Sequence, residues 1–87
     1  MVNPSHLRRL ARDALPDVLS AEPVSLVEIY ASMKRRFSEY CDDSVLCDCS
    51  PNETGAEWQH RIRSALQDVR KRGIAVYERE SRTWRKQ

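Results

Sequence analysis

Residues 57–87 read EWQHRIRSALQDVRKRGIAVYERESRTWRKQ. On a wheel stepping about 100° per residue from Ile62, Trp58, Ala65, Leu66 and Val69 all fall within about 60° of it. That spacing predicts a helix with one buried stripe, and Gly73 stops it. Beyond the glycine, Ile74, Val76 and Trp84 read as inward positions of two short strands, joined across Glu78 to Arg82. A long amphipathic helix running straight into a hairpin is the pattern on which the rest of the chain is assembled.

Upstream, Asn3 and Pro4 supply an N-cap residue and a proline at the first helical position. Leu7, Ala11, Ala14, Leu15 and Val18 continue at helical spacing, which predicts a helix over about 4–19. Pro16 lacks an N–H and crowds the preceding turn, so the helix is expected to end or kink there. Pro23-Val24-Ser25 reads as a short extended lead-in. Ser25 and Glu28 have capping-box spacing, and Leu26, Ile29, Tyr30, Met33, Phe37 and Tyr40 form the apolar face of a second helix over about 26–40. Residues 41–55 form a polar, acidic loop with Pro51 and Asn52 as breakers and Val45 and Leu46 as anchors to the core. Thr54 and Glu57 offer a second capping box, opening the third helix over about 55–72, with the hairpin over about 74–86. The expected fold is mainly α with a small β-hairpin: a single domain spanning 1–87, with the element order of a winged helix-turn-helix, three helices plus a two-stranded wing.

Composition bounds this reading. At 87 residues, 40% hydrophobic and 32% charged, the chain matches one small globular domain and not a disordered tail. No apolar run approaches the roughly 20 residues of a membrane span, and the N-terminus lacks a signal-peptide core, so a cytoplasmic protein without a membrane partner is expected. The net charge of +2 conceals a split. Residues 40–55 carry four acids and no Lys or Arg, whereas residues 56–87 carry nine Lys/Arg against four acids. Such an asymmetry suggests a partner-facing basic side.

The wheel places that side. His60, Ser64, Gln67 and Lys71 lie opposite Ile62, with Arg63 and Arg70 on one flank and Arg61 on the other. In a helix-turn-helix fold the third helix enters the major groove. Arg bonds guanine bidentately, Gln bonds adenine, and Ser or His reaches a base or a phosphate. The candidate DNA-binding residues are therefore Gln59, His60, Arg61, Arg63, Ser64, Gln67, Arg70 and Lys71, with Arg79 and Arg82 on the wing and the first-helix arginines meeting phosphates. The bland alternative is a solvated helix exterior whose terminal cations complement the helix dipole.

The stretch WQHRIRSALQDVRKRGIAVYERESRTW resembles the end of the winged-helix modules attached to bacterial restriction endonucleases of the Mrr and HNH types. The matching positions are Trp58, His60, Arg61, Ile62, Arg63, Ala65, Leu66 and Gln67, then Arg72, Gly73 and the wing tryptophan, Trp84. Upstream, PVSLVEIY is similar to the usual entry into the second helix, so the likeness spans most of the chain. It implies a module that reads double-stranded DNA in a restriction or defence system, with cleavage left to another domain or partner chain. The likeness departs at Arg82, where the family generally has glycine; a wider or shifted turn is expected because positive φ is costly for arginine.

Catalytic and metal chemistry are not expected. Cys41, Cys47 and Cys49 are odd in number, and a Cys-x-Cys step lacks the usual zinc-ligand gap, so a site completed by His6 or His60 is disfavoured. The histidines sit on separate helices, and Asp42, Asp43 and Asp48 have no lysine placed for nuclease work; Asp42 and Asp43 are expected to end the second helix or keep the loop soluble. With only Gly55 and Gly73 there is no phosphate-cradling loop, so neither an enzyme nor a cofactor is predicted. The alternatives to a DNA reader are a protein-interaction adaptor of the same fold and a nuclease accessory that must dimerise for useful affinity.

Overall fold

The computed structural model describes residues 5–43 and 56–87. They form α1 (Ser5–Val18), β1 (Val24–Ser25), α2 (Leu26–Arg36), a 3-10 turn (Ser38–Tyr40), α3 (Glu57–Lys71), β2 (Ala75–Glu78) and β3 (Thr83–Lys86). The chain is thus mainly helical with a small antiparallel sheet. The expected roles of Asn3 and Pro4, of Val45, Leu46, Pro51 and Asn52, of Thr54, and of Cys47, Asp48 and Cys49 fall outside the described residues.

The sheet departs from expectation. It has three strands in the order β1-β3-β2, not two, because Val24 and Ser25 pair with Trp84 and Thr83. The extended lead-in before α2 thus becomes an edge strand, and the last strand lies in the middle. The side-chain alternation is also shifted by one residue from the predicted phase. Ala75 is buried and Tyr77 is half-buried beside its partner Trp84, whereas Val76 stays outside the core cluster. A slip of one position exchanges the faces of a strand. Ile74 still packs against the core, but it does so from the turn before β2.

Each helix end has a local cause. Ser25 Oγ accepts the Glu28 N–H at 3.3 Å while the Glu28 carboxylate accepts the Ser25 N–H at 2.8 Å, so the capping box opens α2 as read. α2 stops at Arg36, and after Phe37 the residues Ser38–Tyr40 form a 3-10 turn in place of the regular helix expected to residue 40. Helix α3 ends with Gly73 at φ 75°, its N–H bonded to the Arg70 carbonyl and that of Ile74 to the Val69 carbonyl at 2.9 Å. This is a Schellman closure, which needs the left-handed backbone glycine adopts freely. Pro16 does not end α1. It lies in the final turn, and the Leu19 N–H still reaches the Leu15 carbonyl at 2.8 Å.

The core is built where the stripes meet. Leu7, Ala11, Ala14, Leu15 and Leu19 from α1 and its exit pack with Ile29 and Met33 of α2 and with Trp58, Ile62, Ala65, Leu66 and Val69 of α3. Ala75 and Trp84 close it from the sheet. Leu19 takes the deep position that the helical spacing assigned to Val18, which is half-buried. The seam between α1 and α3 is locked at its edge by Arg8, whose Nε and Nη2 each donate to an Asp68 carboxylate oxygen at 2.9 Å.

Candidate nucleic-acid interface

Burying Trp58, Ile62, Ala65, Leu66 and Val69 turns the opposite side of α3 outward. Gln67, Arg70, Lys71 and Arg72 are exposed, while His60, Arg63 and Ser64 are half-buried. The two acids of α3 are both engaged. The Glu57 carboxylate meets Arg61 one turn on at 2.8 Å, and that of Asp68 is clamped by Arg8. The Arg8 guanidinium holds the Asp68 carboxyl below its ordinary range, and the carboxylate in turn raises the arginine. On the wheel both acids fall on the flank of Arg61, whereas Arg63 and Arg70 occupy the other flank. The positive charge of the helix is thereby concentrated away from its acids.

The structure sorts the sequence-predicted site residues into four groups. Arg63, Gln67 and Arg70 come together on successive turns of α3 along a cleft of about 290 Å³, with Leu26, Leu66, Tyr77 and Trp84 as its other walls. His60, Ser64 and Lys71 share the outward side of the helix. Gln59 and Arg61 are directed at their own helix instead: Gln59 Oε1 accepts the Ala56 N–H at 3.2 Å, and Arg61 pairs with Glu57. Gln59 acts here as the reciprocal half of a capping box whose cap residue, Ala56, has no side-chain acceptor. Arg79 and Arg82 are exposed in the hairpin turn, apart from the helix residues.

Of the first-helix arginines, Arg8 is held by Asp68, Arg9 is exposed and Arg12 is half-buried near Asp13. Arg85 bonds Glu78 across the hairpin at 2.9 Å, which stiffens the wall behind Arg79 and Arg82. The turn meets one part of the expectation and departs from its reason. It is wide, with 79–82 lying between the closing pair Glu78 and Thr83, yet Arg82 takes positive φ, at 53°.

Two residues of this region escaped the sequence reading. Tyr77 lines the cleft because Ala75 and Tyr77, not Val76, share the face of Trp84; its ring sits 4.9 Å from the indole. The period-two pairing of Ala75 and Tyr77 was present in the sequence but competed with the more apolar Ile74 and Val76. Asp43 is the second. It does not end α2 but accepts the Trp58 indole N–H at 2.7 Å and a bond from the Lys34 ammonium, which lies 5.9 Å from the Trp58 ring centre. These bonds hold its carboxyl below the ordinary range, the lysine contributing most. The contact fixes the start of α3 against the exit of α2, and nothing in the spacing of Asp43 and Trp58 announces it.

Cys41 is buried, and burial pushes its thiol up, away from the reactive thiolate. Among the described residues no group of three His, Cys, Asp or Glu side chains is placed to hold a metal ion, and no helix is long and apolar enough to cross a membrane. Comparison of the chain with family models, with curated proteins and with solved structures finds no match.

Proposed function

We propose that this chain is a winged-helix module that binds double-stranded DNA, with α3 in the major groove and the β2–β3 hairpin, the wing, against the backbone. The element order, with β1 completing a sheet whose other two strands form the hairpin, supports the fold reading. The observation that carries the functional reading is the division of charge on α3. Its acids are tied to Arg8 and Arg61, while Gln67, Arg70, Lys71 and Arg72 are exposed to solvent. Arg63, Ser64 and Gln67 are the base-reading candidates, and Lys71, Arg79 and Arg82 meet phosphates. The role as target reader of a restriction or defence system, with cleavage on another domain or chain, rests on the likeness of residues 58–84 to endonuclease-attached modules.

Duplex titration at several salt concentrations tests this. Arg63→Glu and Lys71→Glu are each expected to weaken binding, and loss of one phosphate contact flattens the slope of log affinity against log salt by about 0.9. Unchanged affinity in both variants removes Arg63 and Lys71 from the interface. Absence of salt-dependent duplex binding by the unmodified protein favours the adaptor reading of the same fold.

A further inference from the structure

Side chains from α2 and its exit surround the indole of Trp58 in the first turn of α3. The indole N–H donates to an Asp43 carboxylate oxygen at 2.7 Å, and the Tyr30 ring meets the indole edge-on at 5.5 Å between centres. The Lys34 ammonium lies 5.9 Å from the ring centre and bonds the same carboxylate. Local devices are weak at this point. The cap residue Ala56 has no side-chain acceptor. The connection across 44–55 is far longer than the roughly 3–4-residue turn that sets the angle between the helices of a helix-turn-helix. A chain of that length can reach α3 from many angles. Among the described residues, the angle of α3 therefore rests on its stripe in the core and, at its N-terminal end, on the exposed carboxylate of Asp43.

We propose that Asp43 is a positioning residue for base reading, holding α3 through the Trp58 indole at the angle from which Ser64 and Gln67 reach base edges. Its loss lowers the preference for a target sequence more than the affinity for DNA in general. This rests on the DNA-binding reading and deepens it. The split follows from the tolerance of the two kinds of contact. A hydrogen bond to a base edge needs its side chain placed within about 0.5 Å, which a helix able to tilt about its core stripe does not keep. Phosphate contacts from Lys71, Arg79 and Arg82 use long side chains whose charge acts over a distance, and they survive a small tilt. The tie also persists across the neutral pH range, because the Lys34 ammonium and then the indole N–H hold the Asp43 carboxyl below its ordinary range and keep it charged.

The test uses the full chain and two DNA samples: a duplex selected from a randomised library by the unmodified protein, and a mixed-sequence duplex pool. The ratio of the two affinities is read at one salt concentration, with circular dichroism establishing that each variant is folded. Asp43→Ala is expected to lower the ratio about tenfold, the worth of one good base contact. It is also expected to move the Trp58 indole N–H resonance in a proton–nitrogen correlation spectrum. Asp43→Asn removes the same charge but keeps an oxygen for the indole, and is expected to retain both the ratio and the resonance. Should Asp43→Ala fail to fold, Trp58→Phe, which keeps an aromatic ring in the core but has no N–H donor, is expected to show the same loss of ratio. Equal losses on both DNA samples overturn the proposal and leave Asp43 a stabilising contact alone. A ratio lowered as far by Asp43→Asn as by Asp43→Ala overturns it too, since charge and not the indole bond is then what matters. Salt-dependent duplex binding by an unmodified protein that enriches no sequence overturns the proposal and leaves the DNA-binding reading in place. Failure to bind any duplex overturns both.

Discussion

Arg82 is a non-glycine residue with left-handed backbone in the turn between β2 and β3. A side chain at such an angle costs roughly 1–2 kcal/mol, whereas glycine loses about 0.4–1 kcal/mol through the extra freedom of its unfolded chain. Arg82→Gly is therefore expected to leave stability unchanged or raise it by up to about 1 kcal/mol, read as the midpoint of a urea denaturation curve. Arg82→Val, β-branched at the same angle, is expected to lower it. If Arg82 also meets a phosphate, the glycine variant separates the two roles, because it gains stability and loses duplex affinity. At this scale the sequence was only partly readable. It marked Arg82 as a conflict between residue and turn and pointed to a wider turn, but not to the positive angle being kept. It missed Asp43, whose partner Trp58 is a long-range neighbour that no local pattern encodes.

Helix periodicity was the strongest signal at the level of elements, and α3 confirms it: all five residues assigned to its buried stripe are in the core. Strand faces were less readable, since β2 is four residues long and two competing alternations both looked apolar. The two-residue β1 carried no period at all and became a strand only through its partner β3. The seam between α1 and α3 gives this scale its prediction. The bidentate Arg8–Asp68 pair is partly exposed, so its worth is set by the range for surface pairs, at most about 1 kcal/mol. Because the folded state depresses the Asp68 carboxyl, the contribution is complete above the unfolded aspartate value of about 3.9 and is lost as pH falls through the lower folded value. Asp68→Asn is accordingly expected to be less stable than the unmodified protein at pH 7, and the gap is expected to close in strong acid. A gap of constant size across that range would show that packing, not charge, holds the seam.

For the whole molecule, one continuous core joins three helices to the sheet, with Ile62 fully buried at its centre. A domain of this size has a small margin of stability. Ile62→Ala is expected to cost about 2–5 kcal/mol and lower Tm by at least about 10 °C, with fluorescence and circular dichroism melting together. Separate transitions for the helices and the hairpin would show that they do not share that core. The position of β3 has a consequence for how the chain acquires its shape. The strand made last among those described is the middle one of the sheet, so on a translating ribosome β1 has no ladder to join, and β2 no neighbour, until residues 83–86 emerge. Helices can collapse onto one another earlier, but the sheet cannot be laid down from one end to the other as synthesis proceeds. Its completion is a late event closing a long span of chain, which slows folding relative to a helical bundle of equal length.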